Sequence, residues 1–125
     1  MGKKKLVCLI LLCFSISAFA VNWKTVGRDT IGNSFFVDID NIKKHNGFVY
    51  YWFLGDFLEP SEGAYSYILK FKADCAEEKQ TLLSGTFYGR QMGKGGIISE
   101  HTANKIMYPK PGTGRYKVMK FACLY

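Results

Sequence analysis

The stretch FVYYWF at residues 48–53 is the strongest strand signal in the chain. Its aromatic and β-branched residues suit a pleated, packed surface. Alternation along a strand places Phe48, Tyr50 and Trp52 on one face and the residues between them on the other. Because both faces are apolar, we predict a central strand that lies beneath a helix on one side and is covered by loops or by a partner on the other.

Weaker signals before this stretch predict two further strands. A short strand fits residues 23–26, and aromatic and β-branched residues indicate a second one at 34–39. The chain then reverses direction, and we expect Asn46-Gly47 at the tip of the turn because this dipeptide tolerates positive φ. The central strand is therefore entered through a tight hairpin.

Two candidate strands come after the central one. Residues 65–74 alternate between apolar and polar side chains, which is typical of a half-buried strand. Residues 80–88 form the second candidate, and strict alternation places Leu83 and Phe87 on one face with Leu82 on the opposite face. Together with the earlier strands, these segments predict a domain that is rich in β-structure.

Three segments have no clear strand pattern and are predicted to be loops. Residues 57–63 contain a proline and a glycine, and residues 97–107 have room for one short helical turn but no regular period. Residues 90–96 are rich in glycine and predict a mobile loop that carries Arg90 and Lys94. Since recognition residues are often found on such connections, these two cations are the candidate ligand-binding residues.

The C-terminal segment has the pattern of a capped helix. Prolines at 109 and 111 end any earlier element, and Thr113 can cap a helix that begins after it. The apolar residues that recur at helical spacing are Val118, Phe121, Ala122 and Tyr125. A last strand over residues 115–123 remains an alternative, because short apolar runs with β-branched and aromatic residues are ambiguous.

The first twenty residues have the pattern of a secretory signal peptide. Three lysines at 3–5 precede an apolar run over 6–14, and small residues lead to Ala20. We predict cleavage after Ala20, so that residues 21–125 form one exported domain in the periplasm or at the cell surface. The apolar run is shorter than the roughly 18–20 residues of a spanning helix, and no transmembrane segment is expected in the mature chain.

Only Cys75 and Cys123 remain once the signal peptide is removed. An exported protein meets an oxidising environment, so we predict a disulfide between them. The two residues are 48 positions apart, and closing such a loop reduces chain entropy enough to stabilise the fold by about 4 kcal/mol. Two free thiols are the alternative, whereas the spacing is unlike a redox or structural zinc motif.

The charge of the chain is mildly basic and dispersed. Its formal net charge is +7, and three of these charges belong to the signal peptide, which leaves +4 on residues 21–125. Acidic residues are interspersed with the cations, unlike the concentrated basic stripe of a nucleic-acid-binding protein. We therefore expect no nucleic acid partner, and a protein ligand or an acidic glycan fits the charge better.

No motif in the chain predicts catalysis, a metal or a cofactor. The two histidines, His45 and His101, lie in a predicted turn and a predicted loop, and no nucleophile elbow is present. The acidic cluster at 38–41 lacks the glycine and glutamate of a calcium loop, so turn chemistry explains it better. We predict that the protein is not an enzyme, with no catalytic, cofactor-binding or metal-ligating residues.

Short motifs occur in a fixed order over essentially the whole mature chain. They are Trp23, Phe36-Val37-Asp38, Ile42, Val49-Tyr50-Tyr51-Trp52, Asp74-Cys75, Met92-Gly93, Pro111-Gly112-Thr113 and Ala122-Cys123. In this order they resemble the surface-adhesin protein E family. The chain departs from the family pattern at Met107-Tyr108, where a tryptophan is usual, and leucine-containing pairs precede Cys8 and Cys13 in place of a lipoprotein signal.

The resemblance implies an α+β fold, a single antiparallel β-sheet with a C-terminal helix packed on it and held by the cysteine pair. It also implies an exported bacterial, non-enzymatic binding module of adhesin type that binds extracellular protein ligands. A periplasmic or envelope-associated structural or interaction protein is the alternative, pairing with another chain through a sheet edge or an aromatic face. Homo-oligomerisation stays open.

Overall fold

The computed structural model describes residues 20–125, so the predicted signal peptide lies outside the described residues except for Ala20. In chain order the elements are strands β1 (Trp23–Arg28), β2 (Ser34–Asp38), β3 (Lys43–His45), β4 (Phe48–Ser61), β5 (Ala64–Asp74), β6 (Lys79–Arg90) and β7 (Lys94–Met107), followed by helix α1 (Gly114–Leu124). Single 3₁₀ turns lie at Ile39–Asn41 and Gln91–Gly93. The predicted α+β class is confirmed.

All seven strands belong to one antiparallel sheet. Its order is β1-β2-β4-β5-β6-β7, and β3 pairs with β4 beside this path. Strands β2 and β3 lie one after the other along the same edge of β4, with β2 opposite residues 53–56 and β3 opposite residues 48–50. The long strand β4 is therefore central, as its apolar pattern predicts.

Two-residue turns set the register at both ends of β4. Asn46 (φ 52°) and Gly47 (φ 82°) form the predicted turn from β3. At the other end Glu62 (φ 51°) and Gly63 (φ 82°) form a second such turn, so β4 reaches Ser61 and the predicted loop at 57–63 is wrong. Glutamate is not a usual residue at positive φ, so the sequence of this turn does not indicate a hairpin.

Helix α1 packs on one face of the sheet, which we call the inner face. The fully buried residues on this face and on the helix are Val37, Tyr51, Phe53, Phe71, Ala73, Val118, Met119 and Ala122. Thr113 caps the helix by accepting a hydrogen bond from the Tyr116 N–H at 3.3 Å. The helix prediction is thus confirmed over the strand alternative, but Met119 joins the buried stripe and Tyr125 is 60% exposed.

A β-bulge changes the predicted faces of β6. Lys70 pairs with Ser84 and Phe71 pairs with Leu82, which leaves Leu83 as an extra residue. Because one inserted residue reverses the alternation beyond it, Leu82 and Phe87 both pack against the inner core. The prediction that they lie on opposite faces is wrong for this reason.

The segment with no legible period is a full strand. Residues 97–107, for which a loop was predicted, belong to β7, which begins at Lys94, lies at one edge of the sheet and pairs with β6 along its length. Three register irregularities interrupt the pairing, and most side chains of β7 are exposed. A bulged, exposed edge strand buries too little apolar surface to produce a two-residue period.

The disulfide joins the helix to the turn between β5 and β6. Cys75 and Cys123 are bonded, with their Cα atoms 5.9 Å apart. Beside the bond, Glu78 accepts a hydrogen bond from the Tyr116 hydroxyl at 2.5 Å and lies 3.3 Å from the Lys120 Nζ. The predicted disulfide is thus confirmed, and two polar links that the sequence does not predict also tie the end of the chain to the sheet.

Candidate functional site

The face of the sheet opposite the helix, which we call the outer face, carries an aromatic groove. The groove has a volume of about 250 Å³ and is lined by Val21, Trp23, Asp38, Trp52, Ile68 and Tyr88. Both tryptophans of the chain are among these residues, and both are half-buried. A surface of this kind presents large, stiff side chains that are already in place when a ligand arrives.

Strand pairing explains how the groove forms. Trp23 of β1 lies opposite Asp38 of β2, and Trp52 of β4 lies opposite Lys70 of β5. Alternation places these side chains on the outer face, because the residues between them pack inwards. The aromatic residues of the groove therefore come from strands that are far apart in the sequence.

Lysines of β5 lie over the aromatic rings of β4 on the same face. The Lys70 Nζ is 5.2 Å from the centroid of the Trp52 ring, and the Lys72 Nζ is 4.1 Å from that of Phe48. Such contacts let the lysine stems cover aromatic surface while the charges stay in water. Lysine side chains, not loops, therefore cover part of this strand, and covering by a partner stays a prediction.

A second feature, which we call the cationic tip, is the pair Arg90 and Lys94. These two residues face each other across the hairpin between β6 and β7, and both are exposed. The turn between them is the short 3₁₀ element Gln91–Gly93. The prediction of a glycine-rich loop over 90–96 is thus wrong, because β6 and β7 both extend into that segment.

Two side chains hold the cationic tip against the outer face. The Ser66 hydroxyl donates to the Arg90 carbonyl at 2.6 Å and accepts from the Gly93 N–H at 2.8 Å. A carboxylate oxygen of Asp56 accepts from the Met92 N–H at 2.7 Å. These hydrogen bonds link the turn to both β4 and β5, so Arg90 and Lys94 project from an anchored turn, which contradicts the predicted mobile loop.

The close approach of the turn explains the Met92-Gly93 motif. Gly93 has φ +69°, and a Cβ atom at this position would lie 2.8 Å from Ile68 Cδ1. Glycine adopts this backbone conformation without strain and leaves room for the end of the Ile68 side chain. The turn therefore rests on Ile68 and on the fully buried Leu54, which is how an apolar residue of the outer face becomes shielded from water.

The groove and the cationic tip are contiguous, and together we call them the outer-face site. Ile68 lines the groove and also contacts Gly93 of the turn, while Tyr88 precedes Arg90 by two residues on β6. The sequence pattern indicates the two cations but not the groove. The alternation at 48–53 places Trp52 on the outer face, and this is the sequence signal available for the groove. Alternation by itself, however, does not distinguish a covered face from an open one.

The two histidines and the acidic cluster at 38–41, which were considered for catalysis or metal binding, lie in ordinary structural positions. His45 ends β3 and His101 lies on β7, at the opposite edge of the sheet, where it packs edge-on against Phe87. The buried Asp38 accepts hydrogen bonds from the Asn22 and Asp40 N–H groups, which is turn chemistry. Within residues 20–125, no group of three His, Cys, Asp or Glu side chains is placed to hold a metal ion.

The described chain combines one antiparallel sheet, a disulfide-linked helix and an open aromatic face. The family model of Surface-adhesin protein E matches residues 23–124, and the chain belongs to this family. The family comprises surface-exposed or exported proteins. No helix in the part of the chain that the structure describes has the length and apolar character needed to cross a membrane.

Solved structures of Haemophilus influenzae protein E have the same fold. Its crystal form II matches with a TM-score of 0.63 and 16% identity, covering 86% of this chain and 91% of that one. A second structure of the same protein matches with a TM-score of 0.61 and 16% identity, covering 86% and 87%. A comparison with curated proteins finds no match. At this identity the likeness establishes the fold alone.

Proposed function

We propose that residues 21–125 form an exported, non-enzymatic binding module that holds an acidic segment of an extracellular protein on the outer-face site. The single observation that supports this proposal is the contiguity of the aromatic groove with two exposed cations. Aromatic residues and arginine are enriched in protein interfaces, where they supply most of the binding energy. A carboxylate-bearing segment with apolar residues complements both parts of the site.

The cationic tip is a pair of like charges that forms no ion pair within the part of the chain that the structure describes. Arg90 and Lys94 are directly opposite each other, and like charges in that position destabilise a hairpin. Among the described residues, no carboxylate lies within 4.0 Å of either side chain. The hydrogen bonds of Ser66 and Asp56 hold the pair in place nonetheless, so an acidic ligand would relieve repulsion that the fold maintains.

Binding of the mature domain to purified proteins tests the proposal. Residues 21–125 are immobilised and exposed to a panel of extracellular matrix proteins and acidic glycans, and binding is measured by interferometry. We expect saturable binding of a protein ligand that weakens with salt, because exposed charges are screened. The double substitution Arg90→Glu and Lys94→Glu should abolish this binding, and Trp52→Ala should weaken it by about tenfold or more.

A matched control separates a local effect from net charge. Lys43→Glu with Lys44→Glu makes the same charge change on the exposed strand β3, which pairs with the far end of β4. This variant should bind as the parent does. Equal loss in both double variants, or no saturable protein ligand in the panel, contradicts the proposal. Binding of glycans alone would also contradict it, since the ligand proposed here is a protein.

Export is part of the same proposal and has its own test. It is supported by the signal-peptide pattern of residues 1–20. N-terminal sequencing of the mature protein should begin at Val21, and protease treatment of intact cells should degrade a surface-located domain. A mature protein that still carries residues 1–20 would contradict cleavage.

An envelope-associated interaction protein is the second candidate, and the edge strand β7 favours it. Ile97 and Ile106 are each 56% exposed and Ile98 is 53% exposed, on a strand whose outer side has no neighbour within the described sheet. Exposed edge strands can pair with a strand of another chain. Cross-linking in cells that captures β7 in a protein wholly protected from external protease would favour this function over adhesion.

A further inference from the structure

On the inner face, a cleft lies between the sheet and the segment that leads into helix α1. Its volume is about 420 Å³, and apolar side chains form most of its wall, among them Phe35, Tyr67, Met107 and Pro109. It is on the opposite side of the sheet from the outer-face site, and the proposed adhesion function does not use it. The polar groups that line it are Gln80, Thr113 and Arg115, together with Lys110 at the rim.

Gln80 has one hydrogen-bonding atom without a partner among the described residues. Its side chain is only 1% exposed, and its Nε2 makes no hydrogen bond within the described chain. Its Oε1 accepts from the Tyr51 hydroxyl at 2.7 Å. A buried amide nitrogen without an acceptor costs roughly 1–3 kcal/mol, and because Gln80 lines the cleft, a ligand whose entry turns this side chain would supply the acceptor.

The hydrogen bond with Tyr51 uses the oxygen end of the Gln80 amide. Burial raises the pKa of Tyr51 far above its usual range, although the charge of Arg115 acts in the opposite direction. The hydroxyl therefore keeps its proton and donates it to the amide oxygen of Gln80 at 2.7 Å. The two-proton donor Nε2 is then the unpaired atom of Gln80.

Arg115 adds a cation to the same cleft. Its guanidinium donates to the Met107 sulfur at 3.6 Å, which is a weak acceptor. No carboxylate in the described chain lies within 4.0 Å of it. Arg115 is half-buried and is the second residue of helix α1, whose N-terminal N–H groups and dipole also favour a negative charge.

We infer that the cleft binds a carboxylate carried on an apolar body. Within residues 20–125, the Gln80 amide and the Arg115 guanidinium are donors without a strong acceptor, and a carboxylate is the acceptor that pairs with both. The apolar wall accommodates the rest of the ligand. Free fatty or aromatic acids and the C-terminal carboxylate of a peptide share this chemistry.

Nuclear magnetic resonance of the mature domain tests the inference, with 4-phenylbutyrate as the probe. Titration should shift the Gln80 side-chain amide signals in a saturable way, together with the backbone signals of Gly114 and Arg115. The neutral analogue 4-phenylbutanamide and the short acid acetate should each bind at least about tenfold more weakly, since one lacks the charge and the other lacks the apolar body. Equal binding of the acid and its amide would overturn the inference.

Variants locate the site. Arg115→Gln should weaken phenylbutyrate binding by roughly tenfold or more, while Lys117→Gln removes the same charge from the helix outside the cleft lining and should have no effect. Gln80→Leu removes the unpaired Nε2 donor. If this variant does not fold, Arg115→Gln still tests the inference. Unchanged binding in Arg115→Gln, or absence of saturable shifts at Gln80, would overturn the inference.

Two further ligands distinguish the sources of the carboxylate. Tighter binding of decanoate than of N-acetyl-Phe-Phe assigns the cleft to free fatty acids, and the reverse order assigns it to peptide C-termini. The Arg90→Glu and Lys94→Glu variant should bind phenylbutyrate as the parent does, because its substitutions lie on the outer face. Failure of adhesion and failure of carboxylate binding are therefore separate results.

Discussion

The inner and outer faces of the sheet both carry aromatic side chains, but different neighbours cover them. Phe53 on the inner face is fully buried and contacts three other aromatic rings, those of Phe35, Tyr67 and Phe71. Trp52, the adjacent residue, lies on the outer face and is covered in part by the lysine at position 70. The inner face therefore stabilises the fold by burial, whereas the outer face stays open to a ligand.

A pair of adjacent substitutions measures this difference, with the largest effect expected on the inner face. Phe53→Ala should lower the free energy of unfolding by about 3–5 kcal/mol, because it leaves a cavity in a packed core. Trp52→Ala should cost only about 1–2 kcal/mol, since the ring is half-exposed already. Urea denaturation of both variants checks the prediction.

Equal losses from the two variants would show that the outer face is as important to stability as the core. If Phe53→Ala does not fold, Phe53→Leu serves as the milder variant. Its smaller loss should still exceed that of an outer-face substitution of similar volume, such as Tyr50→Leu, because Tyr50 is only half-buried.

The disulfide belongs to the inner-face side and should have the next largest effect. Replacing Cys75 and Cys123 together by alanine should cost about 2–4 kcal/mol, because the denatured chain regains the freedom of a long loop. Hydrogen exchange should show the loss mainly as faster opening of helix α1, which the bond ties to the β5–β6 turn. The outer-face site should bind its ligand unchanged in this variant as long as the domain is folded.

A pair of glycine substitutions tests the anchored turn on the outer face. Gly93→Ala should cost roughly 1–2 kcal/mol, because alanine is strained at the positive φ of this position, while the end of Ile68 can move aside. Gly96→Ala is the control, since a Cβ there meets nothing within 4 Å. Thermal denaturation compares the two, and similar melting temperatures would contradict the positive φ at Gly93.

The smallest effect concerns the polar link beside the disulfide and depends on pH. Hydrogen bonds from Tyr116 and Lys120 lower the pKa of Glu78 below its usual value near 4.5. A lowered carboxyl pKa contributes stability that is present above the unfolded-state value and is lost as pH falls through the folded-state value. Melting curves of the parent and of Glu78→Gln should therefore differ at neutral pH and converge as the pH falls through the lowered pKa of Glu78.

The sequence predicted those elements whose signals are local. The Asn46-Gly47 turn results from backbone freedom at two residues, and the Thr113-capped helix results from its own first turn. The cysteine pairing required only that two thiols remain in an exported chain. The turn and the helix signals are each complete within a few residues, and the disulfide signal depends only on the number of cysteines. Distant contacts therefore do not alter them.

The candidate site could be predicted only in part. Arg90 and Lys94 stand out for their place in a glycine-rich segment, and the structure places them on an anchored hairpin. The aromatic groove could not be predicted because Trp23, Trp52 and Tyr88 come from three strands. Their proximity depends on sheet order, which no local pattern encodes.

The sequence alone determines the alternation of the central strands, the tight hairpin turn, the capped helix and the availability of one disulfide. Only the tertiary structure decides the strand β7, the bulge at Leu83, the anchored turn at Gln91–Gly93 and the choice of which aromatic face stays open. The reason is physical. Local features depend on dihedral preference and periodicity, whereas an edge strand or an open face depends on partners that are distant in the chain.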